Sequence, residues 1–230
     1  MSEPNEKSQR AVRSYVVRGG RITAAQQRAL SELWPRFGVD AGSEPLDLAM
    51  IFGRVAPTTV EIGFGNGSHL VARAAAEPER NFLGIEVHPP GVGSLLLAAE
   101  AAGVTNLRVL RADAVEMLQH LPTGSLDQVQ ILFPDPWPKK RHHKRRLIQP
   151  PFVALLASRL RLGGSLHLAT DWEPYAAHMT EVLRSCAQLG NCAIASDYID
   201  RPSYRAPTRF ETRGLRLGHV VRDLLWKRVN

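Results

Sequence analysis

From about residue 58 onward, short apolar runs rich in β-branched residues alternate with longer stretches whose apolar positions fall three and four apart. The short runs predict strands over 59–63, 82–87, 107–111, 128–133, 165–170 and 192–198. The stretches between them predict helices near 68–76, 92–102, 114–119, 148–160 and 174–187. The tail 216–228 is a further strand candidate, with Leu217, Val220, Val221, Leu224, Leu225 and Trp226 as its apolar positions. Strands alternating with helices imply an α/β fold, a mostly parallel sheet with right-handed crossovers. Upstream, 23–34 suits a short helix with Thr23 as N-cap. The first twenty residues are polar, Arg-rich and without period, which predicts a loose arm. The expected organisation is an arm with a short, partly flexible helical piece over 1–50, then one domain over 51–230. No internal repeat interrupts it.

Composition sharpens this picture by exclusion. A chain of 230 residues that is 44% hydrophobic can bury a substantial core. Two cysteines, Cys186 and Cys192, cannot build a disulfide framework, and no Cys/His spacing suggests a metal site. No apolar run approaches the roughly 18 residues of a membrane span. The first thirty residues lack the apolar segment of a signal peptide, and Glu3 and Glu6 argue against an acid-poor transit peptide. A soluble, cytoplasmic protein with no membrane partner and no obligate protein partner is expected.

The formal net charge of +7 and pI near 9.9 point to a polyanionic partner. An Arg-rich proteome would give the same total, but spread evenly. Residues 61–138 hold four basic against nine acidic residues, whereas 139–146 hold six basic and no acidic. Residues 201–230 hold eight basic against two acidic. A single charge run is usually a solvated loop. Two runs beside an acidic body look more like a binding track.

The acidic half contains a strand, glycine turn and helix start in Glu61-Ile62-Gly63-Phe64-Gly65-Asn66-Gly67-Ser68. Glycines allow a tight turn and close backbone approach to a ligand. Two readings compete, a dinucleotide oxidoreductase and a methyltransferase using S-adenosyl-L-methionine. The third glycine comes one residue too early for the dinucleotide fingerprint G-x-G-x-x-G. Glu61 beside the turn suits a ligand bearing a sulfonium and an ammonium, and suits a pyrophosphate badly. Glu86 ends the second predicted strand, where a carboxylate can accept both ribose hydroxyls; both readings need it. Asp113 follows the third, placed either to accept from an adenine amine or to cap the next helix.

The fourth strand runs into Phe133-Pro134-Asp135-Pro136-Trp137-Pro138 and then the basic run Lys139 to Arg146. Three prolines in five residues make a stiff turn that can hold Asp135 and Trp137 in place. Trp137 either stacks on a base or plugs the core beneath the loop. The basic run suits phosphate contacts.

This segment, with His143-Lys144-Arg145-Arg146, resembles the bacterial tRNA (guanine-N7-)-methyltransferases of the TrmB family. Ala169-Thr170-Asp171-Trp172 after the fifth strand and Thr208-Arg209-Phe210-Glu211 near the end are similar to that family's later elements. The likeness runs over roughly 55–228 in order; the glycine turn alone is generic. Pro138 stands at a position that varies in the family. The resemblance implies a Rossmann-like methyltransferase fold, a seven-stranded sheet with helices on both faces and an antiparallel last strand. It implies that Glu61, Gly63, Gly65, Gly67, Glu86, Asp113 and Asp135 meet S-adenosyl-L-methionine, whose product is S-adenosyl-L-homocysteine, and that Asp135 is also catalytic. Lys139, Asp171, Thr208, Arg209, Phe210 and Glu211 are implied to bind the substrate. Arg141, His142, His143, Lys144, Arg145 and Arg146, within a loop over 138–147, are implied to touch RNA. The implied product is 7-methylguanosine at position 46 of the tRNA variable loop.

Guanine N7 carries a lone pair and no proton, so methylation needs placement and exclusion of water more than a base. Asp171 and Glu211 are acceptors suited to guanine N1–H and its amine; Asp171 also suits a helix N-cap. A methyltransferase acting on adenine N6 is the nearest rival, but its D-P-P-[YF] order differs from P-D-P-W here. A non-catalytic RNA-binding module is a further alternative.

Overall fold

The structure is a computed structural model that describes residues 14–15, 20–40, 42, 44–206, 211, 218 and 220–230. Its strands are β1 (Thr58–Ile62), β2 (Asn81–Ile85), β3 (Leu107–Leu110), β4 (Leu126–Leu132), β5 (Leu160–Thr170), β6 (Leu189–Asn191) and β7 (Arg222–Arg228). They form one sheet in the order β3-β2-β1-β4-β5-β7-β6. The first five are mutually parallel, and β7 runs antiparallel to both β5 and β6. The strand order reverses between β1 and β4, so their carboxyl ends diverge into a crevice.

Helices α4 (Ser68–Ala76) and α5 (Pro89–Ala101) pack on one face with Phe82, Leu107 and Val109. On the other lie α6 (Ala114–His120), α7 (Pro150–Arg159) and α8 (Glu173–Arg184), over Val60, Ile62, Val129, Ile131, Leu166, Leu168 and Leu224. Alternation along the central strands sends Glu61, Gln128, Gln130, His167 and Asp223 to the face opposite that larger core.

Ahead of the sheet are α1 (Ala24–Glu32), α2 (Trp34–Phe37) and α3 (Leu48–Phe52). Thr23 caps α1 as expected: its hydroxyl accepts from Gln26 N–H, and Gln26 returns the bond to Thr23 N–H. The turn at Leu33 ends α1 sooner than the expected helix. Gln26 Nε2 donates to Ser94 on α5 at 2.9 Å, and Val39 N–H donates to Val109 on the edge strand β3. Residues 20–40 thus lie against the sheet domain.

The expected strand over 192–198 is corrected. The edge strand is β6, three residues earlier, and the chain then leaves the sheet. Asn191 Oδ1 accepts from Ala193 N–H, an Asx turn that peels the backbone away, and Ile194 is left fully exposed. Pairing resumes only at Ile199, opposite Asp223. An apolar run at a sheet edge with no core behind it has nothing to keep it paired.

Candidate active site

The carboxyl ends of β1 to β4 border a cavity of about 290 Å³. Ile62, Ile85, Ile131 and Leu132 give it apolar walls, and Glu86, Asp113 and Asp135 line it from the ends of three different strands. The glycine turn needs its glycines: Gly63, Gly65 and Gly67 have φ of 71°, 61° and 76°. At Gly67 a Cβ would also lie 2.5 Å from that of Leu95 on α5. Of the three, Gly63 lines the cavity.

The three carboxylates are held differently. Glu86 is buried and accepts from the backbone N–H groups of Val87 (2.7 Å), His88 (3.0 Å) and Gly65 (3.1 Å). An ionised carboxylate offers about four acceptor directions, so capacity remains for a ligand hydroxyl. Asp113 caps α6 through Oδ1, which accepts from Val115 N–H at 2.9 Å. The same side chain lines the cavity, so capping and ligand contact are compatible. Asp135 is exposed and makes no hydrogen bond or ion pair among the described residues. Glu61 lies elsewhere. It is buried, accepts no backbone bond, sits 3.0 Å from His69 Nδ1 and is not among the cavity-lining residues.

Phe133 and Trp137 bracket Asp135 with φ of 54° and 44°. Bulky residues rarely adopt that region, and such strain persists only where the surroundings enforce it. Phe133 N–H is tied to Ala169 O at 2.8 Å. Trp137 neither plugs the core nor stands free: Nε1 donates to Ser14 O at 3.0 Å, the Arg145 guanidinium lies 5.3 Å over its ring, and His142 meets its edge. Ser14 and Tyr15 line the cavity, so the described part of the arm reaches the site.

The basic run folds as a 3-10 turn, Lys140–Arg145. Lys139, Lys140, Arg141 and Lys144 are exposed, and His142, His143 and Arg145 are half-buried. Arg146 is only 4% exposed.

Across the sheet, Asp171 is half-buried just past β5, and the N-cap of α8 is Trp172, which makes no side-chain cap bond. The capping role considered for Asp171 is thus not taken up. Thr208, Arg209 and Phe210 lie outside the described residues. Glu211 is buried and bound bidentately by Arg205 (2.5 and 3.0 Å), itself 1% exposed. Arg205 also donates to Asp223 at 2.8 Å, and the Asp223 carboxylate lies 2.8 Å from His167 Nε2. Tyr204 Oη and Gln130 Nε2 are 3.3 and 3.4 Å from His167 Nδ1. A neutral imidazole protonated at Nε2 satisfies all of these contacts, and burial drives the His167 pKa down despite Asp223. The contact with Asp223 is therefore a hydrogen bond donated by a neutral ring to the carboxylate, not an ion pair. Arg73 on α4 extends the network, donating to Gln128 and Gln130.

Arg73, His167, Tyr204, Arg205 and Asp223 were not anticipated from sequence. A clue was present: Gln128, Gln130 and His167 alternate with apolar residues inside strands expected to be covered on both faces.

Residues 55–224 match the model of a methyltransferase family described as "Putative methyltransferase". The chain is 55% identical to a tRNA (guanine-N(7)-)-methyltransferase of Klebsiella pneumoniae, over 99% of this chain and 95% of that one. It is 52% identical to one of Shewanella pealeana, over 99% and 98%. Among solved structures, the 16S rRNA methyltransferase KamB aligns with a TM-score of 0.57 at 17% identity, over 85% and 99% of the two chains. A 16S rRNA (adenine(1408)-N(1))-methyltransferase mutant from Catenulisporales acidiphilia, solved with its cosubstrate SAM, aligns with a TM-score of 0.53 at 19% identity, over 84% and 96%. These structural likenesses are of fold, the Rossmann-like methyltransferase sheet with its antiparallel last strand.

Proposed function

The chain belongs to the tRNA (guanine-N(7)-)-methyltransferase family, and on that premise we propose that it methylates N7 of guanine 46 in the tRNA variable loop, using S-adenosyl-L-methionine. The observation that carries the cofactor reading is the cavity with three carboxylates at successive strand ends, none of them neutralised by a side-chain cation among the described residues. Such a cavity fits a nucleoside that brings its own positive charge and repels a pyrophosphate, which sets the oxidoreductase alternative aside.

When bound, the cofactor supplies an electrophilic methyl carbon on a sulfonium that leaves as the thioether of S-adenosyl-L-homocysteine. Glu86 would take the ribose hydroxyls with its remaining acceptor capacity, and Asp113 Oδ2 the adenine amine. Asp135 would hold the ammonium or the guanine in line and stabilise positive charge spreading onto the base. Gly63, Gly65 and Gly67 set the backbone approach, and Glu61 would act from beneath the turn. Asp171 and Glu211 would read guanine N1–H and its amine, Glu211 with the acceptor directions Arg205 leaves open; adenine has no N1–H to offer them. Thr208, Arg209, Phe210 and Lys139 complete the substrate side. The exposed basic turn over 139–145 would track tRNA phosphates. Among the described residues no helix is long and apolar enough to cross a membrane, and the reading places the enzyme with its tRNA in the cytoplasm.

The test uses unmodified tRNA transcripts carrying guanine or adenine at position 46, labelled methyl donor and nucleoside analysis. Label in 7-methylguanosine from the first transcript and none from the second is expected. N6-methyladenosine, or 7-methylguanosine independent of position 46, overturns the reading.

A further inference from the structure

The last arginine of the basic run behaves unlike its neighbours. Arg146 is buried, yet it forms no ion pair among the described residues. An arginine taken out of water without a carboxylate is rare, because losing hydration costs several kcal/mol unless other contacts replace it. Its replacements are a carbonyl, an imidazole nitrogen and an aromatic face. Nε donates to Pro136 O at 3.0 Å, Nη2 meets His143 Nε2 at 3.2 Å, and the guanidinium lies 4.8 Å over the Tyr175 ring. Tyr175 is itself fully buried on α8.

Pro136 is the residue after Asp135, and its carbonyl lies inside the strained stretch between Phe133 and Trp137. Prolines at 134, 136 and 138 stiffen that stretch and leave it only the N–H groups of Asp135 and Trp137, neither of which makes a hydrogen bond among the described residues. Phe133 N–H and Trp137 Nε1 anchor its two ends, and Arg146, ten residues on, is the donor that reaches a carbonyl between them.

We infer that Arg146 is a positioning residue for methyl transfer, a clamp anchored in the core that fixes the Asp135 loop, and not a phosphate contact. The inference rests on the reading of Asp135 as the residue at the reacting centre. It divides the basic run: Lys139 to Arg145 face the solvent or the loop surface, while Arg146 closes the loop from below.

The roles separate by charge, geometry and reactivity. A phosphate contact needs only a cation, so Arg146→Lys would preserve it. A clamp needs a planar fork with one face on Tyr175, which lysine cannot provide. Both Arg146→Lys and Arg146→Gln are expected to lower kcat at saturating tRNA by about a hundredfold, the size of effect that a displacement near 1 Å produces. The log–log salt slope of tRNA binding should stay at the wild-type value in both. Lys144→Gln should instead flatten that slope by roughly 0.7–0.9. Near-wild-type kcat in Arg146→Lys, or a flatter slope in Arg146→Gln, overturns the clamp.

A measurement on the unmutated protein covers the case in which those variants do not fold. With an arginine-selective dicarbonyl reagent and peptide mapping, Arg141 should react and be protected by tRNA. Arg146 should resist with or without tRNA. Reaction at Arg146 that tRNA suppresses overturns the inference. If Arg146 resists modification but Asp135→Ala retains full turnover, the clamp survives as structure and the catalytic reading of Asp135 fails instead.

Discussion

Carboxylates in two regions of the molecule, those lining the cavity and those buried around Arg205, are treated in opposite ways. On the cofactor side, Glu86 and Asp113 are held by backbone N–H groups and Asp135 by nothing that carries charge. On the proposed substrate side, Glu211 and Asp223 share the buried Arg205 guanidinium, Arg201 lies 3.6 Å from Glu211, and Asp223 also faces a neutral histidine. The difference fits what each region would receive under the proposed function. Backbone dipoles orient a carboxylate without cancelling its charge, so the cavity keeps a negative potential for a cationic methyl donor. A neutral guanine edge would need acceptors in fixed positions, and Arg205 would supply the fixing while balancing most of the charge.

Removal of a carboxylate from the uncompensated side should cost chemistry and spare the fold. Asp135→Ala is expected to lower turnover about a hundredfold or more, since placement of the reacting groups is lost. Its exposed side chain has no partner among the described residues, so thermal unfolding should stay within about 0.5 kcal/mol of the parent. Turnover near normal, measured as methyl incorporation into tRNA, would contradict the contrast at its strongest point.

Removal of the balancing cation should do the reverse. Arg205→Met removes the guanidinium that two buried carboxylates share, while Glu211 keeps Arg201 at 3.6 Å and Asp223 keeps His167, so it costs about 3 kcal/mol of stability. Denaturant unfolding with the slope checked against wild type measures it. A loss under about 1 kcal/mol would mean that the cluster is wetter and weaker than its geometry indicates. Glu86→Gln, back on the cofactor side, is a smaller change. It should weaken binding of S-adenosyl-L-homocysteine about tenfold, the loss of one charge-assisted bond, with tRNA affinity unaltered. Equal affinity in a titration would remove Glu86 from the cofactor's contacts.

The cofactor side was legible in the sequence because its carboxylates sit at fixed steps after strands, where periodicity locates them to within a residue or two. Glu86 and Asp113 fall where the pattern puts them. Glu61 was legible as a strand residue, but which face it takes, and its pairing with His69, depend on sheet register. The substrate side was hidden for a stronger reason. Glu211 was within reach through its motif, but its partner Arg205 and the more distant Asp223 and His167 carry no local spacing that records that they meet. In the basic run, six like charges in eight residues read as one surface, and only burial and packing on Tyr175 set Arg146 apart. The edge strand was misplaced because composition shows that a run favours β structure and not whether a core lies behind it.

The finest contrast between the two sides is a pH dependence confined to the substrate side. Burial drives His167 below its usual value and outweighs the bond to Asp223. Burial pushes Asp223 up, but bonds from His167 and Arg205 outweigh it and hold its carboxyl below the usual range. Both groups thus bind protons less readily folded than unfolded, so each contributes stability that is present above its unfolded pKa and is lost as pH falls towards the folded one. For His167 the loss begins near pH 6.5; for Asp223 it begins only near pH 4. The groups around the ring are Asp223, Arg205, Tyr204, Gln130 and, more distantly, His69, and of these only the histidines titrate near pH 6 in their unperturbed state. In His167→Gln the side-chain amide can still donate to Asp223 but cannot take up a proton. Its stability deficit relative to wild type, read by urea unfolding at pH 7.5, 6.5 and 5.5, should therefore shrink as the solution is acidified. A deficit that is constant, or that grows at low pH, would show that the folded protein protonates the ring and that the Asp223 contact is an ion pair after all.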